Sequence, residues 1–267
     1  MGDNASQNAK LFNRWQSRLA HIAARLLPTD VSWYRGRPIV SFTFDDFPLS
    51  AAAAASSILA RHAVRATFYA ATGLLGEDHD FWEMAALKDL RILETAGHEI
   101  GLHTHSHKRA WEYGAAEFQE DLARNEDAIR AELGSYRPET FAYPYGVGHF
   151  GHKLRLAKGV RGSRSVHPGI NAGLIDLQFL RAFELTDRAL SPEGAARLID
   201  KTVDARGWLI FVSHDVSETP SPYGVTPALL ESAIVHAKAK GALVLPVCEA
   251  LDQVGVSPMK PQSTPLR

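Results

Sequence analysis

Two adjacent carboxylates, Asp45 and Asp46, end the apolar run Ile39-Val40-Ser41-Phe42-Thr43-Phe44, and the cluster His103-Thr104-His105-Ser106-His107 closes a later one. A strand that delivers two carboxylates to its C-terminal edge can put one on a metal ion and keep the other as a base. Carboxylates this close do not both ionise cheaply without a cation, and a metal on one of them resolves the conflict. Histidines at i and i+4 can supply two imidazole nitrogens to the same ion. One carboxylate, two imidazoles and an open position is the usual makeup of a catalytic zinc site, where water becomes nucleophilic near neutral pH. The helical zinc-protease signature does not apply, because Thr104 stands where its glutamate would be. Spacing leaves open whether His103 works with His107 or with His105, since alternate residues of a strand also share a face. His214 closes the run Trp208-Leu209-Ile210-Phe211-Val212 and precedes Asp215. At the edge of a sheet and near a metal it suits a general acid, the alternative being a structural histidine bonded to Asp215.

Elements must bring these groups together. Strand-like runs at 39–45, 66–71, 98–103, 140–144, 160–165, 180–185, 208–213 and 242–247 alternate with helical patterns at 50–62, 85–96, 115–132, 192–205 and 227–240. Ser191-Pro192-Glu193 opens one helix with a capping residue and a first-turn proline. The alternation reads as α/β, a single distorted (β/α) barrel of seven to eight parallel strands, with an open doubly wound sheet as runner-up. No phosphate-cradling glycine fingerprint follows a strand, which weighs against a dinucleotide fold. Barrel active sites lie at the C-terminal strand ends. Asp45, Asp46, His103, Pro144-Tyr145-Gly146 and His214 all fall there.

Ahead of the barrel, Leu11, Trp15, Leu19, Ile22 and Leu26 recur at helical spacing, with Arg14, Arg18 and Arg25 elsewhere on the wheel. This predicts an amphipathic helix over 11–27 whose apolar face docks on the main domain rather than on a membrane surface. Pro28 ends it. The expected organisation is an N-terminal extension at 1–36, a catalytic domain at 37–250 and a flexible tail at 251–267. Lys+Arg 29 against Asp+Glu 30 leaves a net charge of -1, which argues against nucleic acid or an anionic membrane as the main partner. The single cysteine, Cys248, excludes an intramolecular disulfide and a thiolate metal site. With no run of about 18 apolar residues and a polar start lacking a signal-peptide core, the chain as written is expected in the cytoplasm.

Over residues 37–250 the chain resembles the polysaccharide deacetylases of carbohydrate esterase family 4. The resemblance rests on Thr43-Phe44-Asp45-Asp46, Ala66-Thr67-Phe68-Tyr69, Gly97 through His107, Phe141-Ala142-Tyr143-Pro144-Tyr145-Gly146 and Val212-Ser213-His214-Asp215, in that order. It implies a divalent metal, usually Zn2+ with Co2+, Ni2+ or Mn2+ as alternatives, and hydrolytic removal of acetyl from an amino sugar. It also implies ligands at Asp46, His103 and His107, with Asp45 as base, the backbone N–H of Tyr145 as oxyanion donor and His214 as acid. Several positions depart from the family pattern. Phe47 replaces a glycine and is expected to narrow the cleft edge. Ala142 replaces the arginine that steers the base, and Arg164 on the next strand is a candidate substitute. Asp187 best matches the aspartate that orients the acid histidine. The substrate, a carbohydrate or another small amide, is expected against Phe47, Pro144, Tyr145 and Tyr223, the last in the turn-forming run Ser221-Pro222-Tyr223-Gly224, with Trp82 either stacking on sugar or packing in the core. The alternatives are hydrolysis of a cyclic imide or ureide, and a carbohydrate-binding barrel with degraded catalysis.

Overall fold

The structure, a computed structural model, describes residues 18–77 and 79–258. The start of the expected N-terminal helix, with Leu11 and Trp15, lies outside them, as does the end of the tail. A helix over 18–26 (α1) leads into the strand Val31–Tyr34 (β1). Then come β2 (Ile39–Phe44), a π-helical turn at Ala51–Ala55 running into α2 (Ser56–Arg61), β3 (Thr67–Ala70), α3 (Asp89–Thr95) and β4 (Glu99–Leu102). The middle of the chain holds α4 (Ala115–Leu133), β5 (Thr140–Ala142), α5 (Phe150–Leu156), β6 (Gly162–Arg164) and β7 (Gly173–Asp176). It closes with β8 (Phe183–Glu184), α6 (Pro192–Ala205), β9 (Trp208–Ser213), α7 (Pro227–Ala239), β10 (Leu243–Val244) and α8 (Val247–Gln253).

The parallel strands run in the order β6-β5-β4-β3-β2-β9-β8, and β10 adds to β2. β2 and β9 pair from Ile39↔Trp208 to Phe44↔Ser213 and are buried throughout, as strands covered on both faces must be. On the other side β3 takes only Thr43 and Phe44 of β2, whereas β10 takes Ile39 and Val40. One strand shared between two partners splays the barrel. Its open ends meet through a parallel bridge, Arg164↔Leu180. The architecture is a distorted (β/α) barrel.

Alternation along the strands sorts two cores. Val40, Phe42 and Phe44 join Leu209 and Phe211 beneath the helices. Ile39, Trp208, Ile210 and Val212 form a second cluster, packed on Val247 and Leu251 of α8 and on Tyr34 and Ile175.

All eight expected strands are present, and all but β9 are shorter than the expected ranges. The pair β1–β7, antiparallel from Val31↔Asp176 to Tyr34↔Gly173, was not expected, nor were α5 and α8. Residues 31–34 join the fold through that pair, and Leu251 and Val254 are buried while Arg161 donates to Asp252 and to the Val256 carbonyl. The helix docks, but with the wrong face for the expectation. Ala24 is buried and His21 reaches the Gly148 carbonyl, whereas Leu19, Ile22 and Leu26 point outward.

Candidate metal centre and active site

β2 carries its apolar run straight to the site and then turns sharply. Asp46 and Phe47 adopt φ of 65° and 76°, a region that costs an ordinary side chain about 1–2 kcal/mol. The loop after β4 is held the same way, with Thr104 at 61° and His107 at 48°. These reversals aim His103 and His107 at one point, where their Nε2 atoms lie 3.3 and 3.0 Å from Asp46 Oδ1. His105 goes elsewhere, its Nδ1 against Thr72 Oγ1 at 3.0 Å.

Asp46, His103 and His107 form the one group among the described residues with metal-ligand geometry. Ligands at the corners of a tetrahedron with bonds of about 2.0–2.1 Å stand about 3.3 Å apart, close to the 3.3 and 3.0 Å between the two imidazoles and Asp46 Oδ1. Asp46 Oδ1 is buried and accepts no well-aligned hydrogen bond. The Nδ1–H of His103 donates to the Ala142 carbonyl at 2.8 Å, a bond that turns the Nε2 lone pair towards Asp46. These features fit a divalent cation. Burial by itself would push the Asp46 carboxyl up and the His103 imidazole down. Facing each other they do the reverse: the imidazoles of His103 and His107 hold Asp46 well below the ordinary carboxylate range, and Asp46 and Asp45 raise His103.

Sequence reasoning missed the support for the histidine loop. Asn125 of α4 accepts from the His103 N–H and donates to the Ala70 carbonyl and Thr72 Oγ1. Asp121, one turn earlier, accepts from the backbone of His105 and Ser106, from Ser106 Oγ and from Tyr113 OH. Both are buried beside Phe118, Leu122 and Ile129. The available signal was two polar residues at i and i+4 on the apolar face of a helix.

Arg164, fully buried, donates through Nη2 to both oxygens of Asp45 at 2.5 Å, and its guanidinium lies over the Tyr69 ring. Ala142 and Arg164 are register partners on β5 and β6. The arginine is therefore displaced by one strand, with its side chain on the same face as the position it replaces.

His214 Nε2 lies 3.8 Å from Asp46 Oδ2. Its ring is stacked by Trp82, centroids 5.3 Å apart, and flanked by Tyr223. Bonds from Leu49 N–H to the Glu83 carbonyl and from Ala85 N–H to the Phe47 carbonyl hold the Trp82 segment there. Asp215 is occupied by Ser221, through its N–H and hydroxyl, so it does not hold His214. Asp187 is not brought to His214 either. Its carboxylate accepts from the N–H and hydroxyl of Thr226, the capping residue of α7, and no contact with His214 is found among the described residues.

Tyr145 sits at φ 57° after the buried Pro144, its ring between His107 at 4.7 Å and the Arg109 guanidinium at 4.1 Å. Among the described residues its N–H donates to no protein acceptor. Phe47 is a correction to the sequence reading. The positive φ turns its side chain into the core, edge-on to Phe68, so it does not narrow the cleft. Beside Trp82 and Asp215 opens a cleft of about 520 Å³, bordered by Phe81, Ser217, Pro220 and Pro222.

The family model for polysaccharide deacetylase matches residues 34–157. No curated protein matches the chain. Among solved structures, a family 4 acetyl xylan esterase from Clostridium thermocellum, in complex with a cobalt ion, is 22% identical over 82% of this chain and 93% of its own, with a TM-score of 0.59. The catalytic domain of a peptidoglycan N-acetylglucosamine deacetylase from Eubacterium rectale is 18% identical over 87% of this chain and 96% of its own, TM-score 0.55. A family 4 pseudoenzyme from Bacillus anthracis is 17% identical over 82% of this chain and 67% of its own, TM-score 0.57. Sequence match and architecture agree: residues 34–157 match the polysaccharide deacetylase family model, and the chain has the fold of carbohydrate esterase family 4.

Proposed function

We propose that the protein is a metal-dependent hydrolase that removes acetyl groups from N-acetylated sugars. The observation that carries this reading is the convergence of Asp46, His103 and His107 beside the Asp45–Arg164 pair, with His214 on the far side. Asp46, His103 and His107 would hold a divalent ion, which would supply Lewis-acid polarisation of the acetyl carbonyl and a nucleophilic water near neutral pH. Asp45, its oxygens fixed by Arg164, keeps lone pairs free to take the proton of the attacking water. The Tyr145 N–H donates to the oxygen on which negative charge develops. His214, steadied by Trp82, gives a proton to the departing amine. Tyr223, Phe81 and Tyr145, all half-exposed, form an aromatic rim against which sugar rings stack.

Some chains of this fold are pseudoenzymes. Here Asp45, Asp46, His103, His107 and His214 lie close together, which supports the reading of an active enzyme. Acetate release from chitooligosaccharides, beside a panel of small cyclic amides, tests the proposal. Release from the sugars that stops on chelation is the expected result. Turnover of the cyclic amides alone would move the substrate class, and no turnover of any kind, with metal bound, would leave a binding protein.

A further inference from the structure

The apolar face of α1 is turned away from its own domain. At about 100° per residue, Leu19, Ile22 and Leu26 fall within an arc of about 60°, and Ala24, the residue that docks, lies roughly opposite. The three side chains are 62%, 45% and 70% exposed. The chain that follows continues the theme. Leu27 and Val31 are exposed, and Trp33, 68% exposed, faces its exposed cross-strand partner Leu174. Half of the large apolar side chains that the described residues expose belong to this one edge, where a monomer ordinarily exposes them singly.

Charge surrounds the same edge. Arg18 and Arg25 are seven residues apart and so lie together on the helix, beside the arc of Leu19, Ile22 and Leu26. Arg35 and Arg37 follow, and all four arginines are exposed. Asp30 is the only acidic residue between positions 18 and 37. Arg25 approaches His167 Nε2, and none of the four arginines pairs with a carboxylate among the described residues. A total charge of -1 conceals this local excess.

We propose that this edge docks on an anionic phospholipid surface. Leu19, Ile22 and Leu26 enter the headgroup–acyl boundary, Arg18 and Arg25 reach to the phosphates, and Trp33 sits at the interface. A second copy of the chain fits less well. In a two-fold interface the arginine rim would face itself, and like charges opposed across an interface disfavour pairing. Nucleic acid would use the arginines and leave the leucines in water.

The test is co-sedimentation of the full-length protein with vesicles of phosphatidylcholine alone and of phosphatidylglycerol mixed with phosphatidylcholine. The protein should pellet with the anionic vesicles, be partly released by added salt, and remain in solution with the neutral ones. Leu19→Glu/Ile22→Glu/Leu26→Glu should lower the partition coefficient about tenfold or more at an unchanged melting temperature, since these side chains are already in water. Arg18→Ala/Arg25→Ala should bind more weakly and respond less to salt. Failure of the wild type to bind anionic vesicles would overturn the proposal, as would a triple variant that binds like the wild type. A concentration-dependent dimer that the triple variant abolishes, with no vesicle binding, would assign the edge to a second copy instead.

Discussion

Arg164 Nη2 donates to both oxygens of Asp45, while Nε and Nη1 find no partner among the described residues. Its use is therefore to hold one carboxylate. Arg164→Ala should lower kcat by about 100-fold with little change in KM, the effect of a misplaced reacting group. Because Ala142 and Arg164 face each other in register, Ala142→Arg in the Arg164→Ala background should restore part of the loss. Unchanged kcat in the single variant would make the arginine structural. The ligand assignment is checked by metal content. His107→Ala should retain far less divalent metal than the wild type, and His105→Ala should retain all of it, because its ring turns to Thr72. The grouping of Asp45, Asp46, His103, His107 and His214 was legible because each is contiguous in sequence with a buried run. Side-chain direction was not legible. Phe47 turns inward on a left-handed backbone, and Asp187 caps a helix, outcomes that spacing along a chain does not encode.

At the level of elements, β2 and β9 announced themselves through long, mainly apolar runs, as strands buried on both faces do. β1 and β7 did not, since each shows exposed and covered residues in turn and β7 begins at a left-handed glycine, Gly173. The turn into β4 carries a titration that can be measured. The His98 ring is packed on Phe68, accepts from the Ala66 N–H and meets Ser56 Oγ. Burial, with the charge of Arg65, holds this imidazole down at about 4, against 6.5 for a free one. Between those values the unfolded chain binds a proton that the folded chain refuses, so the stability contribution is present above 6.5 and is lost as pH falls towards 4. The neighbouring cleft of about 260 Å³ admits some solvent screening, and about 1–2 kcal/mol is expected. Burial pushes the Glu99 carboxyl up, which acts in the opposite direction. The comparison is therefore with His98→Gln, whose unfolding should depend less steeply on pH across that window. Equal slopes would refute it.

For the whole molecule, one buried cation ties the N-terminal helix to the barrel. Lys153 of α5, with no exposed surface, donates to the carbonyls of Ala24 and Leu27 at the end of α1 and to Asp176 beside them. It supplies the donors that a helix C-terminus lacks. Lys153→Met removes one partner of a buried pair and should cost about 3 kcal/mol. In hydrogen exchange, residues 18–27 should lose protection while β2 and β9 keep theirs. Retained protection there would show that Ala24 packing and the His21–Gly148 bond anchor the helix without the lysine. Composition and periodicity had pointed to a docked helix. They could not show that small residues face the domain and large ones face away, because apolar periodicity locates a stripe without naming its partner.

Five side chains around the centre, on Asp46, Phe47, Thr104, His107 and Tyr145, sit on left-handed backbone. Each such residue costs about 1–2 kcal/mol, a large share, taken together, of a net stability of about 5–15 kcal/mol. An unfolded chain has no reason to adopt these bends, and only a finished barrel can impose them. Loading of the proposed metal would therefore have an order: the scaffold would close first, and the ion would enter a site already shaped for it. This is the reverse of the small zinc modules whose ligands gather around the metal as they fold. Chelator-treated protein should still unfold in one cooperative transition, and reloading should proceed without a refolding lag. A chelated chain that had lost its cooperative transition would mean that the ion builds the site.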